Sequence, residues 1–272
     1  MAINDITLAG GMRSNLVSLQ NVATLQARTT ERLATGKKVN SAVDDPSAFF
    51  AAQNHTNRAS DLAARKDVMN EAIQTVKAGL QGIDGITKLI EQAKGLAASA
   101  RSANATDRSS LADQFDSLRT QIDQLAGDAS YKGTNFLASD SLTVEFNEGG
   151  TSTLTVSGFD ASTAATGLDI SAAANAWVAD SDIDAAVTDM DSALSTLRTN
   201  AKTLASNNGV ITTRQEFTTN IISTETTGAD MLTAADTNEE GANMLALQTR
   251  QQLGVVALQL SSQAQQSIMR LF

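Results

Sequence analysis

The residue types that do chemistry are few in this chain and poorly placed for it. There is one histidine, His55, and no cysteine, so neither a His/Cys metal cluster nor a thiolate nucleophile can be assembled. A Ser-His-Asp triad would have to use His55, and no GxSxG elbow accompanies it. His55 reads instead as a solvated helix residue. Phosphate-cradling patterns of the GxxxxGKS/T or GxGxxG kind are absent. Asp180, Asp182, Asp184 and Asp191 share part of the spacing of a calcium loop, but Ala185 stands where that loop needs glycine and Asp191 where it wants glutamate. These acids fit better at the start of a long helix, where the helix dipole favours negative charge. Asp44-Asp45 could be an acid pair, yet nothing places a nucleophile or a second acid nearby. With Pro46 following, it reads as a helix start with proline in the first turn. Asn54-His55-Thr56 and Asn104-Ala105-Thr106 match the glycosylation pattern and are taken as coincidences in a helical chain. No catalytic, cofactor-binding or metal-binding residue is assigned, and the chain is not expected to be an enzyme.

The elements that remain are built for packing. Hydrophobic residues make up 42% of the chain but aromatics only 4%, so the core must come from Ala, Leu, Ile and Val. Such small side chains let helices approach closely. Pro46 is the single proline among 272 residues, which permits very long helices. The formal net charge of −10 and pI near 4.6 argue against nucleic acid and anionic membrane as partners. No run of apolar residues is long enough to span a bilayer. The N-terminus lacks the basic and apolar regions of a secretory signal.

Apolar residues alternate at steps of three and four in several stretches, the signature of a heptad seam. The longest runs Ile183, Val187, Met190, Leu194, Leu197, Ala201, Leu204, Asn208, Ile211 and Gln215, then through Thr218, Ile222, Glu225, Ala229 and Leu232. It predicts a helix of roughly 75 Å at ~1.5 Å per residue. A second seam runs from Met69 through Val76, Ile83 and Ile90 to Ala97. Gly79, Gly82 and Gly85 recur along it and predict close approach by a neighbour. A third, shorter seam spans Leu111 to Leu125, with a cap expected within 107–110 and an end at Gly127. Between the seams, Leu142, Val144 and Phe146 alternate with polar residues, as do Leu154 and Val156. Glu148-Gly149-Gly150 separates them, which predicts a β-hairpin. Residues 161–176 read as an exposed loop.

Both ends are amphipathic but dilute. Met12, Leu16, Leu19, Ala23, Gln26, Thr30 and Leu33 keep the spacing at the N-terminus. Leu253, Val256, Leu260, Gln263 and Ser267 keep it at the C-terminus. Helices this polar are marginal alone in water, so each needs the other or further subunits. The expected fold is mainly α: an elongated antiparallel helical rod or coiled coil with a small β-hairpin and paired N- and C-terminal helices.

Residues 32–46, RLATGKKVNSAVDDP, resemble the N-terminal pattern of bacterial flagellins. The C-terminus is similar to the same family independently. Asp236, Glu239 and Glu240 precede Gln251-Gln252-Leu253-Gly254, followed by Gln263, Gln266, Ile268, Met269, Leu271 and Phe272. Residues 131–137, YKGTNFL, resemble the family's segment before the hairpin. The resemblance implies a non-enzymatic subunit that polymerises into the flagellar filament. Export would be of the unfolded chain through a type III channel, with the ends folding on assembly outside the cell. It also implies an inner terminal coiled-coil domain, 1–40 with 236–272. A helical rod domain, 41–235, would carry the hairpin at about 140–160, without a large outer domain. Inter-subunit assembly is expected to use Met12, Leu16, Leu19, Arg32, Leu33, Gly36, Asn40, Asp44, Asp45, Gln252, Leu253, Val256, Leu260, Gln263, Gln266, Leu271 and Phe272. The implied partners are further copies of the chain, sister flagellins, an export chaperone, and cap and junction proteins. A hook–filament junction protein, sharing the same terminal helices, is the alternative.

Overall fold

The computed structural model describes residues 10–269. Its elements, in order, are α1 (Gly10–Thr35), α2 (Pro46–Ala100), α3 (Ala105–Asp128), β1 (Ser141–Glu145), β2 (Thr153–Ser157), α4 (Asp180–Thr233) and α5 (Thr237–Met269). The chain is mainly α, as the seams predict. It divides into two compact units, one of Met1–Asn57 with Thr224–Phe272 and one of Arg58–Ser223.

The Arg58–Ser223 unit owes its order to a full apolar core. The second seam faces inward as read, with Met69, Val76, Ile83, Ile90 and Ala97 buried on α2 and Ile86 buried beside them. Ile183, Met190, Leu197, Leu204 and Ile211 face them from α4, and Phe115 and Ile122 from α3. Polar ladders beside the core run antiparallel along α2 and α4, joining Asn70 to Gln215, Lys94 to Asp191 and Arg101 to Asp184. The hairpin pairs Leu142 with Val156 and Val144 with Leu154, and the two valines are fully buried.

Gly79, Gly82 and Gly85 of α2 receive side chains. A Cβ at Gly82 would lie 2.8 Å from both Ala129 Cβ and Leu137 Cδ1, and one at Gly85 2.8 Å from Leu125 Cδ2. Helix propensity lost at these positions is exchanged for close packing.

Three expectations are corrected here. The cap of α3 is Asn104, not a residue of 107–110: its Oδ1 accepts from Asp107 N at 3.0 Å and its Nδ2 donates to Asp107 Oδ2 at 2.7 Å. Gly127 lies inside the helix, and Asn135 closes that end by donating to the carbonyls of Ala126 and Gly127. Residues 161–176 are not an exposed loop, since Ala161, Thr163, Leu168 and Ile170 are buried. Asp123 accepts from Thr163 N at 2.6 Å and Arg119 Nε donates to Ile170 O at 2.8 Å, so side chains of α3 replace the hydrogen bonds a regular element would give. The segment ends in three successive left-handed residues, Asn175, Ala176 and Trp177, at φ +47°, +49° and +57°. That conformation costs roughly 1–2 kcal/mol per non-glycine residue. It is offset by Trp177, fully buried with its ring 5.0 Å from that of Phe115.

Candidate functional site: the terminal helix pair

In the other unit α1 packs along α5, and the buried row is thin. Val22 and Thr29 are buried on α1, flanked by half-buried Met12, Asn15, Leu19, Gln26 and Leu33. Leu247 is buried on α5, with Met244, Gly254 and Leu258 half-buried. Leu19 seats on Gly254, where a Cβ would lie 2.7 Å from Leu19 Cδ2. Arg32 Nη1 donates to Glu240 Oε1 at 2.8 Å, with side chains 19% and 10% exposed. A pair so shielded costs desolvation and gains direction, which suits a register lock.

The segment after α1 is held by main-chain bonds. Gly36, at φ +67°, turns the chain out of the helix. Lys38 N donates to Thr233 O at 2.7 Å and Ala235 N to Gly36 O at 2.9 Å, about a bridge between Lys37 and Ala234. Asp44 Oδ2 then accepts from Ser41 N at 3.0 Å, from Ser41 Oγ at 3.1 Å and from Asn40 N at 3.2 Å. The amide and hydroxyl of Ser41, with the Asn40 amide and the Arg28 guanidinium, hold this carboxyl below the usual aspartate range. Asp45 Oδ1 accepts from Ala48 N at 3.0 Å and Pro46 opens α2, the helix start expected of Asp-Pro. Asp236 starts α5 in the same way, accepting from Asn238 N at 2.8 Å.

His55 is not simply solvated. Its Nδ1 lies 2.5 Å from Oε2 of the buried Glu225, and its ring is 4.0 Å from where a Cβ on Gly228 would be. Three of the four acids of the calcium-like spacing are ion-paired instead, Asp180 with Arg108, Asp184 with Arg101 and Asp191 with Lys94, and Asp182 accepts from Ala179 N at 3.4 Å. Among the described residues no group of three or more potential metal ligands converges.

The decisive geometry is what α1 and α5 leave uncovered. Leu16, Val17 and Leu25 are exposed on α1, as are Leu245, Leu253, Val255, Val256 and Leu260 on α5, with Leu253 64% and Leu260 67% exposed. Between residues 10 and 27 the only charge is Arg13, and between 241 and 269 the only charge is Arg250. Solvated helix faces are ordinarily rich in charge.

A family model described as the bacterial flagellin N-terminal helical region matches residues 3–141. The chain is 31% identical over 285 residues to flagellin FljM and 32% over 286 residues to flagellin FljK of Caulobacter vibrioides, covering 100% of each chain. The chain belongs to the bacterial flagellins. A flagellin of Brucella melitensis is 27% identical over 95% of this chain and 96% of its own. Among solved structures, Bacillus cereus flagellin overlays with a TM-score of 0.46 and 18% identity, over 54% of this chain and 86% of that one.

For a flagellin, the positions expected to assemble subunits fall into two sets. Leu16, Asp44, Asp45, Gln252, Leu253, Val256, Leu260, Gln263 and Gln266 are exposed. Met12, Leu19, Leu33, Gly36 and Asn40 are half-buried within the same chain, and Arg32 is engaged by Glu240. Leu271 and Phe272 lie outside the described residues. The expected α1 row shares Met12, Leu19, Gln26 and Leu33 with the observed seam and departs from it elsewhere. Leu16, Ala23 and Thr30 are exposed while Asn15, Val22 and Thr29 face α5, and the Leu253, Val256, Leu260, Gln263 row lies outside the pair. Spacing alone permits either face of a dilute helix. The positions missed were Val22, Leu247 and the partnership of Leu19 with Gly254; the charge-free run of α5 was the available signal.

Proposed function

We propose that this chain is a structural, non-enzymatic subunit that polymerises into the flagellar filament, with copies packing through the uncovered faces of α1 and α5. The observation that carries the reading is the conjunction on those faces: exposed large apolar side chains, amide and hydroxyl neighbours, and almost no charge. A surface of this kind is stable in water only when covered, and a contact between two different patches that does not close on itself builds an open helical polymer. Leu16, Leu253, Val256, Leu260 and the glutamines Gln252, Gln263 and Gln266 face the neighbouring copy, and the same assembly role is assigned to Leu271 and Phe272. The half-buried Met12, Leu19, Leu33, Gly36 and Asn40, with Arg32, shape that surface from within. Residues 1–40 with 236–272 form the inner domain and 41–235 the rod. The protein acts outside the cell after export unfolded, with an export chaperone and with cap and junction proteins as further partners.

The test is electron microscopy of purified, seeded protein. Micrometre filaments are expected from the full chain, and none from chains lacking residues 1–33 or 255–272, which should stay soluble and helical. Normal filaments from either truncation, or a full chain that stays monomeric or forms short caps, would overturn the proposal.

A further inference from the structure

A second apolar feature lies away from the terminal faces. Where the turn of the hairpin meets α2 and α4, Leu62, Phe146, Phe217 and Ile221 line a cleft with Glu148 and Arg214 at its rim. Phe217 is 57% exposed. The Arg214 guanidinium lies 5.3 Å over the Phe146 ring, and no carboxylate of the described residues is in hydrogen-bonding reach of it. An exposed aromatic beside an arginine stacked on a second aromatic has the composition of an interface hot spot. Glu148, by contrast, is taken up by Arg58 at 2.8 Å, so the rim has a surplus of positive charge.

The loop that follows Val39 carries the complementary shape. Val43 is 92% exposed, the most exposed large apolar side chain among the described residues. It stands at the tip of a turn closed by Asp44 N donating to Ser41 O at 3.1 Å and fixed by the bonds to the Asp44 carboxylate. A rigid tip loses little entropy on docking. Of the two carboxylates in residues 39–46, Asp44 is already held by Ser41, Asn40 and the Arg28 guanidinium at 3.5 Å, so the negative charge that the tip offers the Arg214 rim is that of Asp45, whose Oδ1 accepts from Ala48 N.

We propose that the Val43 tip of one copy seats in the Phe217 cleft of a second copy, with the Asp45 carboxylate beside it facing Arg214. This rests on the self-assembly reading and adds to it a contact that the terminal helices do not supply. Knob and hole are different patches, so the contact is heterologous and can repeat without closing.

The absence of cysteine makes the test clean. Filaments are co-assembled from equal amounts of Val43→Cys and Phe217→Cys chains and oxidised. A covalent dimer is expected from the mixture and from neither variant alone. A mixture of Val43→Cys with Val210→Cys, also exposed, should give none. In parallel, the critical concentration for polymerisation is measured for Val43→Ser, Phe217→Ala and the double variant, each checked for unchanged helicity. Each single change should raise it about tenfold, and the double variant no further than the worse single. Filaments that form without the cross-link, or substitution effects that simply add, would overturn this pairing and leave self-assembly through the terminal helices standing. A wild-type chain that never polymerises would overturn both.

Discussion

The two units of this flagellin use helices of similar kind to opposite ends. In Arg58–Ser223, large side chains such as Met69, Ile86, Ile90, Phe115, Trp177, Met190 and Leu197 are fully buried, and the charges along the core's edges are paired across helices. In the terminal pair the buried row thins to Val22, Thr29, Glu240 and Leu247, and the larger apolar residues of α5 point outward. Burying a leucine or isoleucine contributes about 1.5–3 kcal/mol. The first unit therefore holds its stability within one chain, while the second leaves much of its own uncollected until another surface covers it.

The comparison breaks most sharply at the core. Phe115→Ala should cost the Arg58–Ser223 unit about 3–5 kcal/mol, read as a lower thermal midpoint, and leave hydrogen exchange in α1 and α5 of the monomer unchanged. If α1 and α5 were the more slowly exchanging region in the free monomer, the contrast between the units would be wrong. Next is Gly254→Val. Leu19 occupies the space its side chain needs, so the terminal pair should lose about 1–3 kcal/mol and filaments should form poorly while helicity in residues 58–223 is kept. Arg32→Ala strands the shielded Glu240 carboxylate and should weaken the pair by about 1–3 kcal/mol, with Arg32→Lys a partial rescue. A smaller change runs the other way: Ala176→Gly relieves a left-handed residue and should stabilise the Arg58–Ser223 unit by roughly 0.5–1 kcal/mol in denaturant titration. The smallest concerns pH. The Asp44 carboxyl titrates lower in the folded loop than in the unfolded chain, so its stabilisation is fully present above the ordinary aspartate value of about 3.9 and is lost as pH falls through the lower folded value. Asp44→Asn should flatten that part of an acid titration followed by NMR of the Ser41 amide.

The sequence was most legible where burial is heaviest. Residues Met69 to Ala97 and Ile183 to Ile211 kept the register read from their spacing, because an apolar face this continuous has one way to be covered. The hairpin was equally plain from Val144 and Val156. Legibility failed where hydrogen bonds, not apolar spacing, decide the structure. Nothing local says that Asp123 and Arg119 would order residues 161–176, or that Asn104 would cap α3 ahead of Asp107. At the site itself, the motif of residues 32–46 and the acids before α5 were read separately. Only the fold joins Arg32 to Glu240 and Gly36 to Ala235, since those pairings span most of the chain. Of the α1 row read from spacing, Met12, Leu19, Gln26 and Leu33 are half-buried and Leu16, Ala23 and Thr30 exposed, because a helix with two usable faces does not declare which one its own partner takes.

The splice between Gly36–Val39 and Thr233–Ala235 has a consequence for how freely this protein can vary. Its bonds are drawn from amide and carbonyl groups, which every residue but proline carries alike. Side chains at Lys37 and Lys38 can therefore be exchanged, lengthened or labelled without touching the joint, whereas a proline at position 38 would delete a donor and unfasten it. A dye or affinity handle carried at Lys37 would ride on an intact connection.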